Sequence, residues 1–422
     1  MEDRNVPELP VKSATSFFIY LHCMRIITRT VLILSIVSLL ADIASEMLYP
    51  VIPVYLKEIG FTVFWIGVLE GVVNFTAGIS KGYFGKLSDE KGLRLPFVKL
   101  GYLLSAISKP LMAIFTYPLW IFFVRTMDRL GKGVRTAARD ALLSQEATKE
   151  TKARVFGFHR SMDTVGAAIG PVLALLFLFF YPGDYKTLFY LAIIPGLLSL
   201  LFIFLLKEKK QPFSTLGKGN FFSFFNYWKV AAPEYKKVVA GLLLFALFNS
   251  SDVFLLLITK ETIGENTLNL WGNTFTADTL TIGAYIFYNL VYAAASYPMG
   301  ILADRLGYKK IILLGFALFA TVYGSFAFNP SIAVIFLLFS VYGIYAAATE
   351  GVIKAWITNL AHKENTATAI GFYTSCESIC ALLASIVAGT LWVSFGSQST
   401  FISTAAVSAL VFIYFLLRIR VK

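Results

Sequence analysis

Long apolar runs separated by short polar segments set the rhythm of this chain. Runs of about 20 residues or more, each enough to cross about 30 Å of hydrocarbon, fall at 30–57, 63–84, 97–116, 118–140, 154–181 and 186–206. Six more follow at 238–258, 280–302, 310–328, 331–355, 366–394 and 399–419. Between the two sets lies a basic segment, 207–237, with Lys-Glu-Lys-Lys, Gly217, Gly219 and the aromatic stretch Phe221 to Trp228. That mix predicts a linker lying partly in the membrane interface. The pattern predicts an all-α polytopic membrane protein of twelve transmembrane helices, with bundles at 30–206 and 238–419 and short terminal segments at 1–29 and 420–422.

Composition agrees with that pattern. The chain is 57% hydrophobic and only 15% charged, with a mean hydropathy of +0.71, too apolar for an ordinary globular protein. A net charge of +12 raises the question of nucleic acid, but its distribution answers it. Lys57, Lys186 and Lys260 are the only Lys or Arg in loops on one side, while the rest crowd the other side or lie inside helices. By the positive-inside rule the crowded side, with both termini, is cytoplasmic. The expected setting is the cell (inner) membrane, with the lipid bilayer as partner, no nucleic acid, and a monomer as the working unit. Arg25 and Arg29 lead into a span-length segment, so the first helix is expected to remain rather than be cleaved. Cys23, Cys376 and Cys380 are odd in number and lack nearby His ligands, so no disulfide framework, metal or other cofactor is expected.

Two loops repeat. Gly85-Lys-Leu-Ser-Asp89-Glu-Lys-Gly92-Leu-Arg94 in the first set matches Gly300-Ile-Leu-Ala-Asp304-Arg305-Leu-Gly307-Tyr-Lys309 in the second, at the same offset. Six plus six spans with matching loops imply two pseudo-symmetric bundles. On these paired loops the chain resembles the major facilitator superfamily over about Thr30 to Leu417, and that resemblance implies alternating access between two six-helix halves. Gly166-Ala-Ala-Ile-Gly170-Pro171 is similar to the element of exporting, proton-antiporting members, although Val172, Leu173 and Ala174 replace its usual continuation. The stretches around Asp42, Arg129, His159, Asn249 and Glu350 resemble a prokaryotic branch of general permeases of mostly undefined substrate.

Charges inside spans are costly and mark pathways or gates. Asp42 and Glu46 lie at i and i+4 on the first helix, about 20 Å or more from its loop end by the helical rise. Acids shielded from water can take and release a proton as their exposure changes, which makes Asp42 and Glu46, with Arg125 and Asp128 of the fourth helix, the proton-coupling candidates; a fixed salt bridge is the competing reading. Glu70, Lys109 and Arg125 fall at matched depths, about 10 Å inside their helices, and could hold a substrate anion or cancel one another. Asn249 and Asp252 form a polar break in the seventh helix, and Tyr288, Asn289, Tyr292 and Tyr345 can wall a solute cavity. The expected cytoplasmic gate comprises Gly85, Asp89, Gly92, Arg94, Arg135, Arg139, Asp140, Asp304, Arg305, Gly307, Lys309 and Glu350. Glycine there permits a tight reversal, Asp can face a helix N-terminus, and the basic residues can meet acids such as Asp140 and Glu350 at neighbouring helix ends.

The chain has no Gly-Lys-(Ser/Thr) nucleotide loop, and His22, His159 and His362 make no convergent catalytic constellation. A secondary transporter is therefore expected rather than an enzyme or a sensor. The reading is proton-coupled export of a small organic solute or drug, with proton-coupled uptake as the alternative.

Overall fold

The structure, a computed structural model, describes residues 27–208, 220–264, 268–270, 273–328 and 330–419. Cys23, His22, Gly217 and Gly219 lie outside the described residues. The first half contains α1 (Arg29–Glu46), α2 (Ile52–Glu58), α3 (Val63–Lys91), α4 (Leu95–Leu111), α5 (Pro118–Gln145), α6 (Lys152–Phe180), α7 (Tyr185–Leu191) and α8 (Ile193–Phe204). A 3-10 segment, Phe221–Asn226, and α9 (Tyr227–Val230) lead into the second half. That half contains α10 (Pro233–Ala246), α11 (Val253–Ile263), α12 (Ala277–Leu306), α13 (Tyr308–Phe326), α14 (Ile332–Leu360), α15 (Thr366–Phe395) and α16 (Ser397–Arg418). Together they form twelve membrane-crossing segments in two pseudo-symmetric bundles. One feature departs from the all-helical expectation: β1 (Leu268–Leu270) pairs antiparallel with β2 (Asn273–Phe275) between α11 and α12.

Seven stretches are individually long and apolar enough to cross a membrane. The other crossings are atypical for physical reasons. α3 and α5 carry buried charges, and α4 has only 17 residues. The first crossing is split into α1 and α2 beside Pro50 and Pro53, and the seventh into α10 and α11 across Asn249 to Asp252. Proline lacks the N–H of the helical ladder, and freed backbone groups must be satisfied inside protein or a wet cavity.

Local signals set the helix ends. Pro118 and Pro233 open α5 and α10, where a missing N–H costs nothing. The Thr28, Thr62 and Thr276 hydroxyls accept the N–H groups of Val31, Trp65 and Thr279, as N-caps do. Gly92 and Gly307, with φ of +61° and +93°, end α3 and α12 in the region open to glycine. Gly85 corrects the expectation of a tight reversal, because it lies inside α3. A Cβ there would stand 2.5 Å from the Ala367 carbonyl oxygen, so this glycine allows α3 and α15 to cross closely.

The halves meet chiefly where α6 packs on α12 and α3 on α15. Large apolar side chains such as Leu119, Phe179 and Val393 face outward, as a lipid-facing surface requires. Phe316, Phe319, Tyr323 and Phe326 fill the second bundle.

Candidate transport pathway and gate

The end of the molecule carrying the paired loops is sealed by reciprocal caps. Asp89, closing α3, accepts the Thr368 N–H at 2.7 Å and the Thr368 hydroxyl at 2.9 Å, at the N-terminus of α15. Asp304, closing α12, accepts the Ala153 N–H at 2.9 Å and the Arg154 N–H at 3.1 Å, at the N-terminus of α6. Each loop acid thus caps the fifth crossing of the opposite half, where unpaired N–H groups and the helix dipole favour an anion. Arg94 pairs with Asp89 at 3.0 Å and Arg154 with Asp304 at 2.8 Å.

A second layer lies deeper. Asp140 meets Arg139 at 3.0 Å and, across the interface, Lys354 at 2.9 Å. Glu350 meets Arg160 at 2.5 Å, and Arg160 also donates to the Tyr292 hydroxyl. Asp140 and Glu350 therefore find partners on the facing helix rather than in the loops. Several expected gate cations stay within their own halves. The Arg135 guanidinium lies 4.3 Å from the Tyr102 ring centroid, Lys309 donates to the Leu416 and Ile419 carbonyls, and Arg305 is exposed. Lys91 lies over the Phe97 ring, and Glu90 pairs with Lys86 at 2.9 Å.

The aromatic linker reinforces the closed end. Phe224 is fully buried against Gly82 of α3, which has no side chain to obstruct it. Tyr83 and Phe221 stack at 4.7 Å, and Trp228 and Phe372 of α15 at 5.6 Å. The described part of the linker thus packs on both halves rather than on the bilayer alone, and Glu208 caps α4 through the Arg94 and Leu95 N–H groups.

The interior charges sort into pairs. Arg125 pairs with Glu70, and Lys109 reaches Asp128 at 3.5 Å while donating to the Ser105 carbonyl at 2.8 Å. Of the two readings of Glu70, Lys109 and Arg125, this structure shows the charges paired, the two cations being held by different acids. Asp128 also accepts from Ser105 at 2.6 Å, so it braces α4 against α5. Asp42 is partly exposed, and Asp163, Lys132, Glu46 and Arg135 lie within its electrostatic reach. Gly166 and Gly170 bring α6 against α1 around it: a Cβ on either would stand 2.5 Å from Leu39 oxygen or 2.7 Å from Met47 nitrogen.

In the second half, Asn249 donates to the Tyr345 hydroxyl at 3.3 Å and the Tyr342 hydroxyl donates to Asp252 at 2.6 Å. Tyr288, Tyr292 and Tyr342 line up with ring centroids 5.1 to 5.9 Å apart. Asn289 donates to Tyr285 oxygen on its own helix. Lys81 and Lys354 were missed by sequence reasoning, although an ionisable residue inside an apolar span was the available signal for each. Lys81 of α3 reaches Ser378 at 3.5 Å. Toward the opposite end Glu46 is partly exposed and Tyr49 half exposed.

Two six-helix halves sealed at one end around a path lined with charge define a membrane transporter. The chain belongs to the Major Facilitator Superfamily, whose sequence model matches residues 34–272 and 266–422. It is 32% identical to an uncharacterized MFS-type transporter of Methanocaldococcus jannaschii over 87% of this chain and 89% of that protein. Over 33% of this chain and 35% of the relative it is 29% identical to the multi-drug resistance efflux pump PmrA of Streptococcus pneumoniae. Among solved structures, the MFS transporter FucP in the outward conformation superposes with a TM-score of 0.72 at 14% identity, over 94% of this chain and 100% of that one. The human organic anion transporter MFSD10 superposes with a TM-score of 0.71 at 15% identity, over 92% and 99%.

Proposed function

We propose that this protein is a proton-coupled secondary transporter exporting a small organic solute, seated in the cell membrane with the paired-loop end and both termini on the cytoplasmic side. The observation that carries this reading is the reciprocal capping of α15 by Asp89 and of α6 by Asp304. Hydrogen bonds that join two rigid halves at one end can break when the halves rock, opening that end while the other closes. Asp42 supplies the coupling. It sits in the α1–α6 contact held by Gly166 and Gly170, so its change of charge alters the force between helices that must move. Export is favoured by that same Gly-x-x-x-Gly-Pro element; the twofold packing and charge pairs would serve uptake equally well.

Proteoliposomes with an imposed pH gradient, screened with candidate solutes, test the assignment. Asp42→Asn is expected to abolish gradient-driven transport while leaving solute exchange intact, and Glu46→Gln to weaken it. Full gradient-driven transport by both variants would overturn proton coupling through this pair.

A further inference from the structure

A cavity of about 220 Å³ lies within the second half, between α10, α14 and α15. Its polar groups differ in how far their bonding capacity is already used. Lys354, on one wall, is held by Asp140 at 2.9 Å. Glu350 is held by Arg160 at 2.5 Å. Glu377 accepts one hydrogen bond, from the Tyr373 hydroxyl at 2.6 Å, and forms no ion pair within 4 Å among the described residues. The Asn249 amide spends one of its two N–H groups on Tyr345, while its oxygen is buried with no hydrogen-bond partner among the described residues. Glu377 is therefore the acid of this pocket with no ion pair of its own among the described residues, and the Asn249 oxygen is a buried neutral acceptor lining the same cavity. Phe245, Tyr345 and Tyr373 supply aromatic faces around them.

Resting on the transport reading above, we infer that this pocket binds a small amine, its ammonium between Glu377 and the Asn249 oxygen and its apolar body against the aromatic wall. A buried acid without a counter-ion and a buried oxygen without a donor are each costly, and an ammonium offers both the charge and the donors. Aromatic faces add attraction for a cation. The volume lies below the roughly 300–1,000 Å³ of drug-sized sites, which selects a small amine over a bulky drug. Lys81, from the other half, and Lys354 both lie within electrostatic reach of Glu377, but Lys81 is directed at Ser378 and Lys354 is held by Asp140. When the halves part, Lys81 leaves with α3, and a bound ammonium keeps Glu377 compensated in the low-dielectric interior. Binding the amine therefore favours the separation of α3 from α15.

Three probes with one body test this: 2-phenylethylamine, 2-phenylethanol and phenylacetate, measured by calorimetry on the purified full-length protein in nanodiscs. The amine alone is expected to bind saturably. Glu377→Gln should weaken it about 10- to 100-fold, the range for a hydrogen bond to a charged group. Adding Asn249→Asp to Glu377→Gln should restore affinity, because the acid returns to the same pocket; this rescue separates recognition from misfolding. Phenylacetate binding that is lost in Lys81→Gln would reassign the pocket to anions. Equal binding of the alcohol, or no binding of the amine, would also overturn the inference. The transport reading is checked separately with spin labels at Lys91 and Lys363 in a cysteine-free background. A single distance under every pH gradient would defeat alternating access whatever the pocket binds.

Discussion

Asp89 and Thr368, 279 residues apart in sequence, are joined by two hydrogen bonds, of 2.7 and 2.9 Å, to a single carboxylate oxygen. The other oxygen holds Arg94 at 3.0 Å. One side chain thus ends its own helix, orients a neighbouring guanidinium and caps a helix of the opposite half. Asp304 likewise caps α6, its two oxygens taking the Ala153 and Arg154 N–H groups, but its guanidinium, from Arg154, comes from the capped helix itself; closure of this end thus uses an aspartate cap twice around the pseudo-twofold axis.

Asp89→Asn or Asp304→Asn should each weaken closure by about 1–2 kcal/mol, the scale of an N-cap with its dipole contribution. That is a factor of about 5–30 in the ratio of closed to open states. Distance measurements between labels at Lys91 and Lys363 are expected to show a larger population with the loop end open. The double variant should show a larger one still.

The deeper layer depends on charge pairing. Glu350→Gln leaves Arg160 without its carboxylate; because the Glu350 side chain is 44% exposed and that of Arg160 29%, water screens the pair and the loss should be about 1 kcal/mol or less. Exchanging the two, Arg160→Glu with Glu350→Arg, is expected to recover part of the lost thermal stability. Unfolding midpoints of the two single variants and the exchange decide this, and no recovery would mean that the pair does not act as a unit.

Gly85→Leu tests the close crossing of α3 and α15. No rotamer removes the Cβ from the Ala367 carbonyl, so the halves cannot approach as before. The variant is expected to insert and fold with the loop end held open. A thiol-reactive probe applied from that side should label a cysteine placed at Ser375, which is buried in the parent.

Phe224→Ala removes the fully buried linker ring over Gly82. Truncations of this kind cost about 3–5 kcal/mol in a packed site, and the loss should fall on the closed state, in which the linker touches α3 and α15 together. Slower return to that state, with solute affinity unchanged, is the expected kinetic signature. An equal loss of affinity would contradict a role confined to closure.

Much of the architecture follows from local composition. Span-length apolar runs must form helices in lipid because no other single segment satisfies its own backbone, and the paired Asp-bearing loops announced the twofold repeat. The polar break at Asn249 and Asp252 pointed to the interruption that the seventh crossing shows, and the first crossing is split beside Pro50 and Pro53. Partners were another matter. Glu70, Lys109 and Arg125 share a depth in sequence, yet rotation about each helix axis directs Arg125 to Glu70 and Lys109 to Asp128. Asp140 and Glu350 marked the gate, but their counter-ions Lys354 and Arg160 come from helices 214 and 190 residues away in the chain. A linear pattern determines depth and helical face because rise and turn are local properties. Which charge meets which is decided by how two bundles pack, and only that packing left Glu377 and Asn249 with acceptors unspent beside a cavity.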